Sequence, residues 1–128
     1  MNGLFINLSN HPSNRWSESQ ISSAIDMVNM GPVVDIPFPN IDPELTKEEV
    51  DNLSKEYIEK IDNLFLEYDA EKIILHVMGE MTFTYKIINH FKDSYIFTCV
   101  ASTTKRNVVE KEDGTKVSVF EFVQFREY

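Results

Sequence analysis

The chain has 128 residues, of which 42% are hydrophobic and 26% are charged, a composition typical of one globular domain with a sizeable core. Its formal net charge of −9 argues against binding to long nucleic acids, because their phosphate backbones attract basic surfaces. No apolar run approaches the roughly 20 residues of a membrane span, and the first residues lack the basic residues and cleavage site of a signal peptide. We therefore expect a cytoplasmic protein with no membrane partner.

The negative charge is concentrated in one segment. Residues 42–71 contain 11 acidic and 3 basic residues, whereas the rest of the chain contains 10 acidic and 9 basic residues. We interpret the acidic segment as the solvated face of a helix, with a partner-binding surface as the alternative. Because the remainder is nearly neutral, a pocket for a small anion is compatible with the charge distribution.

The first part of the chain predicts a strand, a helix and a second strand. Apolar runs at residues 4–8 and 33–37 have the length and composition of β-strands. Between them, Ser17 and Gln20 have the spacing of a capping box, which predicts a helix that ends at Gly31-Pro32.

The middle of the chain repeats this alternation. Thr46 and Glu49 form a second capping box, from which a helix is predicted to run to about Tyr68. The almost wholly apolar segment 72–77 predicts a strand that is covered on both faces. A glycine, Gly79, then breaks the strand.

The last part of the chain predicts a helix, a strand and a hairpin. The helix runs from the glycine break to about Phe91, and residues 95–101 form the fourth strand. Residues 106–111 and 116–125 flank Asp113-Gly114, a strong indication of a β-hairpin that extends the sheet or packs on a second copy.

These elements predict an α/β fold. Alternating strands and helices with right-handed crossovers indicate a Rossmann-like three-layer sandwich with a mainly parallel sheet of order 2-1-3-4. We expect one domain over residues 1–128, with a C-terminal antiparallel hairpin at 106–126.

Polar residues follow three of the predicted strands, and open parallel sheets bind ligands at the carboxyl ends of their strands. We therefore expect one site formed by three strand ends. The candidate residues are Asn7, Ser9, Asn10, His11 and Arg15 at the first strand, Gly79, Glu80, Met81 and Thr82 after the third, and Ser102, Thr103, Thr104, Lys105 and Arg106 after the fourth.

Each group has a functional and a structural interpretation. Free N–H groups of the helix after Gly79 would favour an anion, or the glycine would only form a tight turn that Thr82 caps. Glu80 would cap the same helix, accept a hydrogen bond from a ligand, or act as a general base. The polar group at 102–106 suits phosphate, with a polar entry into the hairpin as the alternative.

The loop after the first strand offers two further side chains of interest. His11 would act as a proton carrier or lie on the surface without a role. Trp16 would pack as a staple at the helix start or stack on a base.

Several familiar chemistries have no motif in this chain. There is no Gly-rich dinucleotide fingerprint, no phosphate-binding Gly-Lys-Ser/Thr loop and no Gly-x-Ser-x-Gly elbow. The three histidines and one cysteine show no metal-ligand spacing, and Cys99 lies in an apolar run that indicates a buried thiol. We expect neither a metal nor a cofactor.

The segments Asn7–Pro12, Asp35-Ile36-Pro37 and Met78-Gly79-Glu80 give the chain a family resemblance. It resembles the small single-domain proteins of type III CRISPR loci, whose Rossmann-like fold is related to the CRISPR-associated sensor (CARF) domain. The resemblance covers the layout of positions 4–106, and its motifs are a Ser/Asn-His-Pro turn and a glycine turn. Several proteins of this kind bind or cleave cyclic oligoadenylates, and the cleaving ones are called ring nucleases.

The resemblance implies a ligand, a reaction and an assembly. A ribose 2′-hydroxyl of a cyclic oligoadenylate would attack the adjacent phosphorus without a metal and leave a cyclic 2′,3′-phosphate. Lys105, Arg106, Thr103 and the helix N-terminus after Gly79 would stabilise the phosphorane, and His11 would move a proton. A two-fold homodimer would suit the symmetric ring. A module that only sequesters the nucleotide, and an interaction domain without a small ligand, are the alternatives.

Overall fold

The computed structural model describes residues 2–128. They fold into one five-stranded sheet of order β2-β1-β3-β4-β5 with helices on both faces. The strands are β1 (Gly3–Ser9), β2 (Val33–Pro37), β3 (Lys72–Met78), β4 (Phe97–Glu110) and β5 (Lys116–Glu127). The helices are α1 (Glu18–Met27), α2 (Lys47–Glu67) and α3 (Met81–Phe91), with a short 3-10 turn at Ser13–Arg15. Over these residues, no helix is both long and apolar enough to cross a membrane.

The predicted fold class and strand order are confirmed. Strands β2, β1, β3 and β4 are parallel neighbours, and β5 pairs antiparallel with β4. Strand β1 lies between two partners, so that Ser9 aligns with Pro37 on one side and Met78 on the other. The carboxyl ends of β1, β2 and β3 therefore finish at the same level of the sheet.

The predicted caps begin the first two helices. The Ser17 side chain accepts a hydrogen bond from the Gln20 N–H at 3.3 Å before α1. Thr46 and Glu49 form both hydrogen bonds of a capping box before α2. Because these bonds join residues three positions apart, their sequence pattern was sufficient to place both helix starts.

The two faces of the sheet are covered unequally. Helices α2 and α3 cover one face and enclose the larger apolar core, whose buried side chains include Ile6, Leu75 and Phe83. Helix α1 covers the opposite face through a smaller cluster around Phe5 and Val28. One short helix leaves part of this second face open, and the cleft described below lies there.

Strand β4 differs from its predicted extent. It was expected to end at Ala101, with residues 102–105 in a loop before the hairpin, but it continues to Glu110. The backbone of β5 pairs with it from Glu127 to Lys116, and this pairing holds the polar segment in an extended conformation. The placement of residues 102–105 in a loop after the strand is therefore wrong, and the segment is part of the hairpin, as the alternative of a polar entry into the hairpin had it.

The hairpin itself is confirmed at Asp113-Gly114. Gly114 has φ of +86°, a conformation that glycine adopts without steric cost. The Asp113 carboxylate accepts a hydrogen bond from the Thr115 N–H at 3.0 Å, which closes the turn.

Candidate functional site

A cleft of about 970 Å³ lies on the α1 face of the sheet, where the ends of β1 and β3 meet β4 and β5. Each of the three predicted strand ends contributes to it. The predicted residues that line the cleft are Ser9, Asn10, His11 and Arg15 from the first group, Gly79 from the second, and Ser102 and Thr104 from the third. Two polar segments and the backbone of Gly79 therefore converge on one cavity.

A buried amide organises the loop after β1. Asn7 is 1% exposed, and its Nδ2 donates to the His11 carbonyl at 2.9 Å and to the Asp35 carboxylate at 2.8 Å. The same carboxylate accepts from the N–H and hydroxyl of Ser13. Asn7 is thus a structural link between β1, β2 and the loop, rather than part of the cleft wall.

His76 on β3 was not among the predicted site residues, but it lines the cleft. Both Asn7 Nδ2 hydrogens are directed at acceptors, so Asn7 Oδ1 accepts from Ser9 Oγ and from His76 Nδ1, each at 2.8 Å. His76 therefore carries its proton on Nδ1. Its Nε2 is buried and has no hydrogen-bond partner within residues 2–128.

The surroundings of His76 keep its ring neutral. Burial, with a smaller contribution from the nearby His11, lowers the pKa of His76 to about 4. The rings of Phe5, Trp16 and Phe125 surround the imidazole at centroid distances of 6.3, 5.6 and 5.3 Å. The cleft floor thus contains a neutral nitrogen that can accept a hydrogen bond but resists protonation.

Trp16 contributes to both the wall and the scaffold. Its Nε1 donates to the His11 carbonyl at 3.0 Å, and its ring packs edge-on against Phe5. The indole is partly buried and also lines the cleft. It therefore packs near the start of α1 while leaving a surface that a ligand can contact.

The turn after β3 is built differently from the predicted anion site. Glu80 is the N-cap of α3, and its carboxylate accepts from the N–H groups of Thr82 at 2.9 Å and Phe83 at 2.8 Å. The hydrogen bond from the Phe83 N–H is the largest cause that lowers the pKa of Glu80, and the bond from Thr82 lowers it further. The carboxylate occupies the position that an anionic ligand would take, and Glu80, Met81 and Thr82 do not line the cleft.

Gly79 is required for packing. A Cβ placed on Gly79 would overlap the ring of Phe38, which lies in the connector after β2. The expected alternatives were close approach of the backbone or a positive φ. The structure shows close approach, and the atoms that approach belong to Phe38 of the same chain.

The polar residues of β4 divide between the cleft and its outside. Ser102 lines the cleft, and its N–H and hydroxyl donate to the Met78 sulfur at 3.3 and 3.1 Å. Thr103 bonds across to the backbone of Gln124 where the register of the hairpin shifts. Thr103, Lys105 and Arg106 are not part of the cleft wall.

The two predicted cations have partners on the hairpin. Lys105 Nζ lies 3.5 Å from the Glu121 carboxylate, and Arg106 Nε donates to Ser118 Oγ at 2.9 Å. Among the described residues that line the cleft, Arg15 is the one lysine or arginine. A phosphate in the cleft would therefore meet Arg15 and His11 from the first loop.

From the sequence, His76 was expected to face the core or the rim of the site and was not included among the site residues, and Phe120 and Phe122 were missed, although all three line the cleft. Strand periodicity contains the signal for His76, because it lies two residues from Met78 and pairs in register with Asn7. Phe120 and Phe122 lie on β5, whose position against the cleft follows from long-range pairing and has no local signal.

The possible metal ligands and the one cysteine thiol are the remaining reactive side chains of interest. No group of three or more His, Cys, Asp or Glu residues within 2–128 is arranged to hold a metal ion. Cys99 is buried, as expected, and burial raises the pKa of its thiol to about 11. The thiol therefore stays protonated at neutral pH and is a poor nucleophile.

Comparison with known proteins identifies one family. Residues 3–126 match the model described as the Uncharacterized protein MJ1673 family. The chain belongs to this family. No curated protein and no solved structure matches the chain. The family description names no substrate, so a function has to be inferred from the residues of the cleft.

Proposed function

We propose that the cleft binds a cyclic oligoadenylate and that the protein cleaves it without a metal, as a ring nuclease of type III CRISPR antiviral signalling. The observation that supports this best is that the polar loop after β1, the Gly79 turn and the polar part of β4 converge on one cavity of about 970 Å³. The cavity is large for a single small metabolite and combines a cation with hydroxyl groups and aromatic rings.

The wall chemistry matches the parts of such a ligand. Arg15 offers a guanidinium to a phosphate, and the hydroxyl of Thr104 offers a further donor. Trp16, Phe120 and Phe122 provide aromatic surfaces on which a base can stack. The buried Nε2 of the cleft-floor histidine would accept from a ribose hydroxyl or an adenine amine.

Cleavage requires no group beyond those at the cleft. The ribose 2′-oxygen forms a bond to phosphorus, the bond from phosphorus to the 5′-oxygen breaks, and a cyclic 2′,3′-phosphate remains. The 2′-hydroxyl loses a proton and the leaving 5′-oxygen gains one, with exposed His11 as the proton carrier. Arg15 would stabilise the charge that develops on the phosphorane. The family resemblance implied this role for Lys105 and Arg106, but neither residue lines the cleft.

A two-fold homodimer is part of the same proposal. One cleft supplies a single arginine, whereas a cyclic tetra-adenylate carries several phosphates. Two copies would supply two arginines in a symmetric arrangement. The outer part of the hairpin offers a surface for this contact, because Phe120 is 68% exposed and several valines beside it are exposed as well.

The test compares two variants that each remove one cation. Wild type, Arg15→Ala and Lys105→Ala are incubated with cyclic tetra-adenylate and EDTA, and the products are separated by chromatography. We expect linear products ending in a cyclic phosphate from wild type and from Lys105→Ala. Arg15→Ala should lose about 100-fold in rate, which corresponds to the loss of one charged contact to the transition state.

The other outcomes separate the alternatives. Intact ligand that co-elutes with wild type would show a sequestering module and refute cleavage. Loss of activity in Lys105→Ala but not in Arg15→Ala would place the phosphates on the hairpin instead of in the cleft. Absence of both binding and turnover would refute the proposed function and favour an interaction domain.

A further inference from the structure

A second, smaller pocket lies across the Gly79 turn from the cleft. Its volume is about 340 Å³, and it is formed on the α3 side by Met81, Thr84, Tyr85 and Ile88 with Tyr128 from the end of the chain. Met81 and Tyr85 are 84% and 66% exposed, which is unusual for large apolar side chains on one helix face. The pocket is therefore an open apolar surface with aromatic walls.

One polar atom at this pocket lacks a partner. Thr84 is 8% exposed, and its Oγ1 makes no hydrogen bond to any described residue. Buried hydroxyl groups are nearly always hydrogen-bonded, because a lost hydrogen bond to water is otherwise not replaced. A hydroxyl can donate and accept, so a ligand with either kind of group on its edge would satisfy it.

The wall chemistry favours a flat ring. Tyr85 and Tyr128 present aromatic surfaces, and the Tyr128 hydroxyl already donates to the Val77 carbonyl at 2.5 Å. That bond leaves the Tyr128 ring, and not its hydroxyl, as the contact surface. Met78 and Met81 are flexible and polarisable side chains that adapt to a ring face. A planar heterocycle of nucleobase size combines a stacking face with polar edge atoms.

The pocket is continuous with the larger cleft. Met78 and Gly79 line both cavities, so one ligand can extend over the turn between them. A base linked to a ribose phosphate in the cleft would reach the pocket over Gly79, a residue that both cavities share and that has no side chain of its own.

We propose that the pocket across the Gly79 turn is a nucleobase-binding subsite, in which Thr84 Oγ1 hydrogen-bonds the edge of the ring and Tyr85 and Tyr128 contact its face. The choice of adenine as the base rests on the proposed function. The geometry of the pocket itself selects a planar heterocycle with a polar edge.

The experiment uses free adenosine and the full chain. Methyl resonances of Met81 and Ile88 are followed by NMR while adenosine is added to wild type, Thr84→Val, Tyr85→Ala and the control Tyr95→Ala. Thr84→Val keeps the shape of the side chain and removes the hydroxyl, and Tyr95 is a fully exposed tyrosine outside the pocket. We expect saturable shifts in wild type and in Tyr95→Ala, and affinity weakened about 10-fold in Thr84→Val and in Tyr85→Ala.

Two results would overturn the subsite. One is that adenosine leaves both methyl resonances in place. The other is that it shifts them equally in all four proteins. If cyclic tetra-adenylate binds in an Arg15-dependent way while adenosine leaves the pocket unchanged, the subsite is refuted and the proposed function stands. If adenosine binds at the pocket while cyclic tetra-adenylate does not bind, the proposed function is refuted and the subsite stands.

Discussion

At the scale of single residues, His76 shows how one buried hydrogen bond determines a protonation state. Asn7 accepts from Nδ1, which leaves Nε2 as a lone-pair acceptor beside the cleft. Burial lowers the pKa of the imidazole to about 4, so the ring is neutral at physiological pH. In the unfolded chain the same ring has an ordinary pKa of about 6.5.

This difference predicts a pH dependence of stability. Because the folded pKa is lowered, the unfolded chain binds a proton first as the pH falls, and stability present above about pH 6.5 is lost on the way to pH 4. Between about pH 7 and pH 5 we expect a loss of about 2 kcal/mol in the free energy of unfolding from this residue. Urea unfolding at both pH values measures it.

The control for this measurement is His76→Phe, which retains an aromatic ring and cannot titrate. Its absolute stability will be lower because Asn7 loses a partner. The informative quantity is the change between the two pH values, which should be smaller in the variant. An equal change in both proteins would show that His76 does not titrate as the structure implies.

At the scale of elements, the turn from β3 to α3 illustrates how a motif acquires a different meaning in three dimensions. For the glycine break and the polar residues after it, the alternatives were an anion cradle and a structural role in which Glu80 caps the helix. Glu80 fills the helix N-terminus with its own carboxylate, and Phe38 packs against Gly79. The turn separates two cavities and contributes backbone, rather than free N–H groups, to the cleft.

The contact between Gly79 and Phe38 gives a stability prediction. Gly79→Ala places a methyl group into the Phe38 ring and should cost about 1–3 kcal/mol, as overpacking in a core does. Thermal or urea unfolding measures the loss. The double variant Gly79→Ala, Phe38→Leu should recover part of it, because the ring is gone. No recovery would show that the contact with Phe38 is not the source of the cost.

Strand β4 is the second element whose role changed. Its serine and threonines were interpreted as a loop, although threonine is common in strands. Pairing with β5 extends the strand from the predicted end at Ala101 to Glu110. Because successive side chains of a strand point to opposite faces of the sheet, neighbouring residues of this segment can have different surroundings. Thr104 lines the cleft, whereas Lys105, the next residue, does not line it and forms an ion pair with Glu121 on its wall.

At the scale of the whole molecule, unequal cover of the two sheet faces creates the site. The face beneath α2 and α3 is closed by a large apolar core, and the face beneath α1 is left partly open. The acidic segment of residues 42–71 contains α2 and thus belongs to the closed face, opposite to the cleft. The net charge of the protein therefore says little about the charge that a ligand meets.

The exposed hairpin gives a prediction for the assembly. Phe120→Lys should convert a homodimer into a monomer, because it places a charge in an apolar contact. Size-exclusion chromatography with light scattering measures the mass. Leu66→Lys is the matched control, since Leu66 is 71% exposed on α2 and far along the chain from the hairpin. A monomeric wild type, or a dimer that survives Phe120→Lys, would contradict the hairpin interface.

The sequence by itself determined the elements and their order in the sheet. Caps such as Thr46 with Glu49, the apolar run at 72–77 and the Asp113-Gly114 turn act over a few residues, so their patterns are local. Alternation of strands and helices, with right-handed crossovers, then leaves few sheet orders. That order places the loop after β1, the Gly79 turn and β4 next to one another, where the cleft lies.

Only the tertiary structure decided which polar groups are free to meet a ligand. Lys105 is paired across the hairpin, and the buried Nε2 of His76 has no hydrogen-bond partner among the described residues. Each outcome depends on strand register or on burial by residues far away in the chain. Long-range backbone pairing brings together the loop after β1, the β3–α3 turn and β5, which form one cleft. No short stretch of sequence contains that information.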